Sequence, residues 1–238
     1  MVCRLKKALY GLKQAPRAWY SKLDGCLKSM KFVKGTVDSN LYVREMTTGT
    51  LIVIIYVDDI IFAGDKEGLC EEFAEQMKRT FEMSMLGQMK YFLGFQVEQR
   101  KNSIFLSQEK YARDLVKRFG MENAKEVSTP ISVGTKLCKD EEGNNVDQKE
   151  FRRIIGSLLY LTASRPDITY AVTLCARFQC DPKESHLSAA KRILRYVKGT
   201  LNYGLLYKHS TNIKLLGFTD ADWAGDCTDR RSTSGGAF

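Results

Sequence analysis

The sequence has no continuous apolar stretch of about 18 residues, so no membrane-spanning helix is expected. The amino end also lacks the apolar core of a signal peptide, because Arg4, Lys6 and Lys7 interrupt it. No internal repeat or low-complexity tract is evident. These absences predict an intracellular protein, in the cytoplasm or the nucleus, that does not contact a membrane.

Histidine and paired cysteine, the usual zinc ligands, are scarce. The seven cysteines include no Cys-x-x-Cys pair, and the two histidines are His186 and His209. A zinc site is therefore not expected. We interpret most of the cysteines as small buried apolar side chains of a protein in a reducing compartment.

Apolar residues make up 44% of the chain and aromatic residues 11%, which indicates a packed globule with one large or two small cores. The net charge of +9 favours a polyanionic partner. Residues 1–34 contain nine Lys and Arg against one acid, or +8, and residues 36–76 contain nine acids against two bases, or −7. This pattern suits a protein that binds phosphates and holds cations nearby. A solvated basic helix without a partner explains the first segment equally well by itself.

Apolar periodicity predicts helices and strands in alternation. Residues 51–56 and 60–63 are apolar, β-branched runs without alternation, which is typical of strands covered on both faces. We predict that they form a hairpin with Asp58-Asp59 at or beside its turn. Residues 121–148 are polar and predict a linker. The predicted helices are 14–30, 69–81, 107–119, 151–163, 166–178 and 185–198, and the other predicted strands are 91–98, 103–106, 203–207, 214–219 and one beginning at 232.

Two adjacent carboxylates between apolar strands are costly unless a cation compensates their charge. Mg²⁺ is usually held by one or two carboxylates together with substrate phosphates. Two such ions can activate an attacking hydroxyl and stabilise a leaving group. Alternatively, Asp58 and Asp59 are an ordinary turn pair, since aspartate favours turns.

Five segments resemble, in the same order, the blocks of Ty1/copia-type retrotransposon reverse transcriptases. Residues 8–20, which contain Leu12-Lys13-Gln14-Ala15-Pro16, resemble the second block of that family. Tyr56-Val57-Asp58-Asp59 resembles the third block. The remaining resemblances are residues 90–95 with 106–112 (primer-gripping hairpin and first thumb helix), residues 156–168 (connecting segment) and residues 214–238 (opening of the ribonuclease H domain).

The resemblance implies an α+β fold with a reverse-transcriptase palm and thumb, a helical connection and a truncated ribonuclease H-like start. The implied domains are the palm at 1–106, without fingers and first catalytic block, the thumb helix and linker at 107–148, the connection at 149–211 and the ribonuclease H-like start at 212–238. The implied activity is RNA-directed DNA polymerisation on an RNA or DNA template-primer with deoxynucleotide triphosphates. The implied cofactor is Mg²⁺ or Mn²⁺, and the oligomeric state stays open.

The resemblance also assigns site residues. Asp58 would be the metal-ligating and catalytic carboxylate, with Asp59 as its less direct partner, and Asp220 would match the first metal ligand of ribonuclease H. The remaining assignments are Lys13, Gln14 and Arg17 as nucleotide- and template-binding residues, and Phe92, Leu93 and Gly94 as the primer grip. Tyr10, Trp19 and Tyr20 could stack on bases, although a core position is the better interpretation of Trp19.

The chain also departs from the family pattern. The family takes another essential aspartate from a block upstream of residues 2–5, and Ser84-Met85 stands where Lys-Asp is common. The further ribonuclease H ligands would lie past Phe238, and we interpret Asp222 and Asp226 as polar loop residues. We therefore expect a fragment that is inactive alone. The alternatives are a non-catalytic nucleic-acid-binding remnant of a retroelement and an enzyme completed by another chain or by further sequence.

Overall fold

The computed structural model describes residues 8–210, 214–226 and 230–237, which form a mixed α+β structure. The chain divides into two compact units between Gly87 and Gln88. This division lies upstream of the predicted domain boundary at residue 106. The palm, thumb, connection and ribonuclease H-like bounds stay predictions.

The first unit is a four-stranded antiparallel sheet with two helices. The order of the strands in the sheet is β1-β2-β3-β4, so each strand pairs with its neighbour in sequence. The elements are α1 (Ala15–Ser29), β1 (Val33–Lys34), β2 (Leu41–Met46), β3 (Gly49–Tyr56), β4 (Asp59–Gly64) and α2 (Glu67–Thr80).

Pro16 stands in the first turn of α1, where its missing N–H costs no hydrogen bond. Leu23 and Leu27 are fully buried one turn apart, as the helical periodicity predicts. They belong to a core that also contains Phe32, Tyr42, Phe73 and side chains of β3. The Tyr42 hydroxyl donates to Asp24 Oδ1 at 2.7 Å, and burial together with its hydrogen bonds raises the pKa of Tyr42.

The expectation that β3 is covered on both faces is wrong. Leu51, Val53 and Ile55 are buried, whereas Ile52 and Ile54 between them are more than 40% exposed. The strand therefore alternates between covered and open positions, although its sequence does not alternate between apolar and polar residues. The predicted hairpin is confirmed, with Asp58 in its turn and Asp59 beside the turn as the first residue of β4.

The second unit combines a four-stranded sheet with a group of helices. Its main sheet has the order β5-β6-β7-β8, and β9 pairs with β10 separately. The elements are β5 (Tyr91–Phe92), β6 (Phe95–Arg100), β7 (Ser103–Ser107), α3 (Glu109–Arg118), α4 (Gln148–Leu161), a 3-10 turn (Pro166–Ile168), α5 (Thr169–Ala176), α6 (Glu184–Gly199), β8 (Gly204–Lys208), β9 (Phe218–Ala221) and β10 (Ser234–Ala237).

Two details of this region differ from the prediction. The predicted strand 91–98 is a hairpin, because Leu93 and Gly94 take φ values of 48° and 83° and reverse the chain between β5 and β6. Positive φ at both central residues is typical of a type I′ turn. The helix predicted at 107–119 begins at Glu109, because Ser107 ends β7 and Gln108 holds the capping position.

Helices α3 to α6 bury one continuous apolar core with Phe151, Leu158, Val172 and Leu194 at its centre. Residues 119–147 contain no helix or strand, as the linker prediction expected. They are nevertheless packed on the helices, since Met121 is buried in the core and the Lys125 carbonyl accepts a hydrogen bond from Arg195 Nε at 2.6 Å.

Arg165 is 1% exposed and joins three parts of this unit. Its guanidinium forms two hydrogen bonds with the Asp167 carboxylate, at 2.9 and 2.7 Å, and two more with the carbonyl and hydroxyl oxygens of Thr200. The Tyr196 and Tyr203 rings lie 5.6 and 5.2 Å from the guanidinium carbon. Burial acts to raise the pKa of Asp167, but the hydrogen bonds and the charge of Arg165 outweigh it and lower that pKa.

The cysteines correct one expectation. Of the five cysteines in the described part of the chain, Cys175 is buried, Cys26 and Cys70 are half-buried, and Cys138 and Cys180 are exposed. Burial raises the pKa of Cys175 to about 12. Cys3 and Cys227 lie outside the described residues. One of these five cysteines is buried, so the prediction that most cysteines are buried is wrong for the described part of the chain.

None of the helices among the described residues has the length and apolar character needed to cross a membrane.

Candidate functional site

The link between β3 and β4 is a two-residue turn. Tyr56 pairs with Asp59, which leaves Val57 and Asp58 at the tip. Val57 has a φ of 55°, which is unusual for a β-branched side chain and costs on the order of 1–3 kcal/mol. Such strain persists only where the surrounding structure holds it, and it occurs most often at functional sites.

Asp58 and Asp59 both lie on the surface. The cost expected for two carboxylates between strands covered on both faces is therefore absent, because water solvates both side chains. Their chemistry still fits a hard cation such as Mg²⁺, which takes one or two carboxylates and leaves further positions to phosphates and water. Within the described ranges, no group of three or more His, Cys, Asp or Glu side chains could hold a metal ion. Substrate oxygens or another carboxylate would have to complete this site.

A hydrogen bond from α1 holds the aspartate turn. The indole Nε1 of Trp19 donates to the Val57 carbonyl at 2.9 Å, across 38 residues of sequence. The same indole packs edge-on against Phe81, with ring centroids 5.1 Å apart. Trp19 is half-buried, so the interpretation of this residue as part of the protein interior agrees with the structure. It positions the turn that carries Asp58.

We expect Trp19→Phe to loosen this turn without disturbing the core. Phenylalanine keeps an aromatic ring against Phe81 but cannot donate to the Val57 carbonyl. Loss of one hydrogen bond costs about 0.5–1.5 kcal/mol. Amide hydrogen exchange at Asp58 and Asp59 should quicken more than exchange at Leu23 and Val53, which lie in the core. Equal acceleration at all four amides would contradict a local role for Trp19.

The residues assigned to nucleotide and template binding lie at the start of α1. Lys13, Gln14 and Arg17 are all exposed, and Gln14 occupies the capping position without a side-chain capping hydrogen bond. The amino end of a helix favours anions through its free N–H groups and its dipole. Trp19 belongs to the same helix, so its bond to Val57 places this helix beside the aspartate turn.

The predicted primer grip lies in the second unit. Phe92 ends β5, and Leu93 and Gly94 form the turn before β6. The Tyr160 hydroxyl on α4 donates to the Leu93 carbonyl, and Tyr160 also contacts Tyr111 on α3 edge-on, with centroids 4.8 Å apart. A Cβ at position 94 would clash with the Tyr160 hydroxyl. Sequence reasoning missed this support, because no local pattern indicates that Tyr160 meets Leu93.

The acids assigned to ribonuclease H are also in the second unit. Asp220 is exposed on β9, and its Oδ1 accepts from the Ala221 N–H at 2.9 Å. Asp222 accepts from the Thr233 N–H at 2.6 Å, and Asp226 pairs with Arg177 at 3.6 Å. These contacts agree with the interpretation of Asp222 and Asp226 as polar loop residues.

Comparison with known proteins gives a consistent result. The family described as reverse transcriptase (RNA-dependent DNA polymerase) matches residues 1–133. The chain is 41% identical over 234 residues to the retrovirus-related Pol polyprotein from transposon RE1 of Arabidopsis thaliana, covering 98% of this chain and 16% of that protein. It is 40% identical over 248 residues to the Pol polyprotein from transposon TNT 1-94 of Nicotiana tabacum, covering 100% of this chain and 19% of that protein.

A shorter relative is similar in extent to this chain. An uncharacterized mitochondrial protein of Arabidopsis thaliana is 39% identical over 186 residues, which cover 78% of this chain and 77% of that protein. No solved structure matches the chain. The chain thus spans less than a fifth of the Pol polyproteins RE1 and TNT 1-94.

Proposed function

This chain belongs to the reverse transcriptase (RNA-dependent DNA polymerase) family, and we propose that it carries the palm, thumb and connecting segments of a Ty1/copia-type retrotransposon enzyme, followed by the start of a ribonuclease H-like domain. In the complete protein, the proposed reaction is template-directed addition of deoxynucleotides to a primer 3′-hydroxyl with release of pyrophosphate. The order of the sequence blocks and the 41% identity to a Pol polyprotein support this proposal.

The observation that carries the site assignment is the hydrogen bond from Trp19 to Val57. It joins a helix that begins with exposed basic side chains to the turn that presents Asp58. Polymerases need these two features together, because nucleotidyl transfer is mainly positioning and electrostatic stabilisation.

The residues of this chain would share the work as follows. Asp58, with Asp59 beside it, would hold Mg²⁺, which when bound lowers the pKa of the primer hydroxyl and neutralises phosphate charge. Lys13 and Arg17 would donate to phosphate oxygens, and Gln14 would hydrogen-bond the incoming nucleotide. The Phe92–Gly94 turn would hold the primer end.

The proposal is tested by primer extension on poly(rA)·oligo(dT) with Mg²⁺ or Mn²⁺. We expect Asp58→Asn to abolish any extension and Asp114→Asn, an exposed acid on α3, to leave it unchanged. Extension that survives in Asp58→Asn would show that the assigned carboxylate is not catalytic.

Extension by the isolated chain is expected to be absent or weak. The described residues bring no third metal-binding side chain to Asp58 and Asp59. A second measurement therefore follows the cation directly. In a Trp223→Phe background, Trp19 is the remaining tryptophan, and it should sensitise luminescence of Tb³⁺ bound beside the turn. Asp58→Asn should raise the dissociation constant for Tb³⁺ at least about tenfold, since it removes a charged oxygen ligand. An unchanged Tb³⁺ titration would contradict the metal site.

A non-catalytic nucleic-acid-binding role is the second candidate, favoured by the exposed cations at the start of α1. If Lys13 and Arg17 each contact one phosphate, the double change to glutamine should lower the salt-dependence slope for single-stranded nucleic acid by about 1.4. Fluorescence anisotropy with a labelled oligonucleotide over a range of salt concentrations measures that slope. The matched control changes Lys136 and Lys139, two exposed lysines of the second unit, and should leave the slope unchanged. Equal effects of the two double substitutions on the slope would contradict a specific role for Lys13 and Arg17 in binding.

A further inference from the structure

A pocket of about 600 Å³ opens in the first unit at the opposite end of β3 from the Val57–Asp58 turn. Its walls come from the carboxyl ends of α1 and α2 and from β2. Three cationic side chains, Lys31, Arg44 and Arg79, line it against one acid, Glu45. The pocket therefore has an excess of positive charge, and none of its residues belongs to the polymerase site proposed above.

Arg44 is the buried cation of this pocket, at 7% exposure. Its Nη1 donates to the Met30 carbonyl at 3.5 Å, and its guanidinium carbon lies 5.2 Å from the Phe32 ring centroid. Its Nε and Nη2 have no hydrogen-bond acceptor among the residues that the structure describes. Glu72 Oε1 lies 3.9 Å from Nη2, which is too far for a hydrogen bond. A buried, charged side chain whose N–H groups lack an acceptor is destabilising, so a ligand that supplied an acceptor to Arg44 would be favoured.

Gln76 has a buried acceptor that lacks a donor among the described residues. Its Nε2 donates to Glu72 Oε1 at 3.0 Å, while its own Oε1 is buried and receives no hydrogen bond from the described part of the chain. Arg44 and Gln76 both approach the same oxygen of Glu72, so the guanidinium and the amide are neighbours. A ligand that accepts hydrogen bonds from Arg44 and donates one to Gln76 would satisfy both side chains.

We propose that this pocket binds a phosphate group that keeps one proton, either inorganic phosphate or a phosphate monoester. The charged phosphate oxygens would accept hydrogen bonds from Arg44, and the P–OH group would donate to Gln76 Oε1. Lys31 and Arg79 would balance the remaining charge. Sulfate and the phosphodiesters of a nucleic-acid backbone carry no such proton, and they fit the two unmet groups less well.

Isothermal titration calorimetry at mildly acidic pH, with inorganic phosphate as the probe and sulfate as the comparison, tests this proposal. Phosphate should bind at least about tenfold more tightly than sulfate. Arg44→Met should abolish phosphate binding, and Arg79→Gln should weaken it several-fold. Glu72→Gln should strengthen it, because it removes a negative charge beside the ligand. If adenosine monophosphate binds and adenosine does not, the ligand is a nucleotide. If only inorganic phosphate binds, the ligand is the free ion.

The control is Arg113→Gln, an exposed cation on α3, which should change nothing. Arg79 and Glu72 are exposed, so their variants preserve the fold and carry the test if Arg44→Met unfolds. The opposite signs expected for Arg79→Gln and Glu72→Gln separate a binding site from a general effect on stability. No phosphate binding, equal affinity for sulfate, or affinity that none of the three variants alters would overturn the proposal and leave bridging water as the partner of Arg44 and Gln76.

Discussion

Arg165→Met should lower the free energy of unfolding of the second unit by about 3–5 kcal/mol, because removing one partner of a buried ion pair leaves the other charge uncompensated. The variant keeps an unbranched apolar chain in the same space but removes four hydrogen bonds to Asp167 and Thr200. Urea unfolding followed by far-ultraviolet circular dichroism measures the change, since α3 to α6 supply much of the helical signal.

Two further variants separate charge from geometry. Arg165→Lys keeps the positive charge but not the two parallel bonds to the carboxylate, so we expect it to recover less than half of the loss. Arg113→Met breaks an exposed ion pair with Glu109 and should cost about 0.5 kcal/mol or less. A loss below about 1 kcal/mol for Arg165→Met would contradict the role assigned to this buried cluster.

The same cluster predicts a pH dependence. Because the folded pKa of Asp167 is lowered, its contribution to stability is present above the unfolded pKa and is lost as the pH falls through the folded pKa. The loss therefore belongs to the acidic range below the ordinary aspartate pKa of about 3.9. Arg165→Met should remove this component, so that the stability of the variant falls less steeply with acid than that of the unchanged protein.

Phe73→Ala should lower the free energy of unfolding of the first unit by about 3–5 kcal/mol, the range for deleting a buried aromatic ring. Phe73 is 1% exposed and contacts Phe32 and Phe62 edge-on, with centroids 5.5 and 5.0 Å away. These rings join α2 to the sheet that carries the aspartate turn. Fluorescence of Trp19 in a Trp223→Phe background follows unfolding of this unit by itself.

Phe73→Leu is the matched control, because leucine fills part of the volume and leaves a smaller cavity. It should cost less than half as much as alanine. Near-equal losses for the two variants would show that the aromatic contacts, rather than the filled volume, stabilise this core. Loss of Tb³⁺ binding in Phe73→Ala at temperatures where the protein is still folded would show that the turn depends on the packing beneath it.

The helices were predictable from sequence because their apolar stripes are local signals. Leu23 and Leu27 on α1, or Phe151 and Leu158 on α4, recur at the helical period and are buried as expected. The β5–β6 turn was missed because Leu93-Gly94 is not a common hairpin pair, although both residues take positive φ. The pairing of β8 with β7 was missed because Gly204–Lys208 lies nearly a hundred residues from its partner strand.

By itself, the sequence determined the family, the α+β class and the presentation of Asp58 and Asp59 at a hairpin turn. These depend on the order of residue blocks and on periodicity, which a linear sequence carries in full. Only the tertiary structure decided what holds that turn and where other polar groups meet. Trp19 reaches Val57, Tyr160 reaches Leu93 and Arg44 lies beside Gln76, because packing brings together side chains that are far apart in sequence. The type of a side chain determines which hydrogen bonds it can form, but the fold determines which partner it meets.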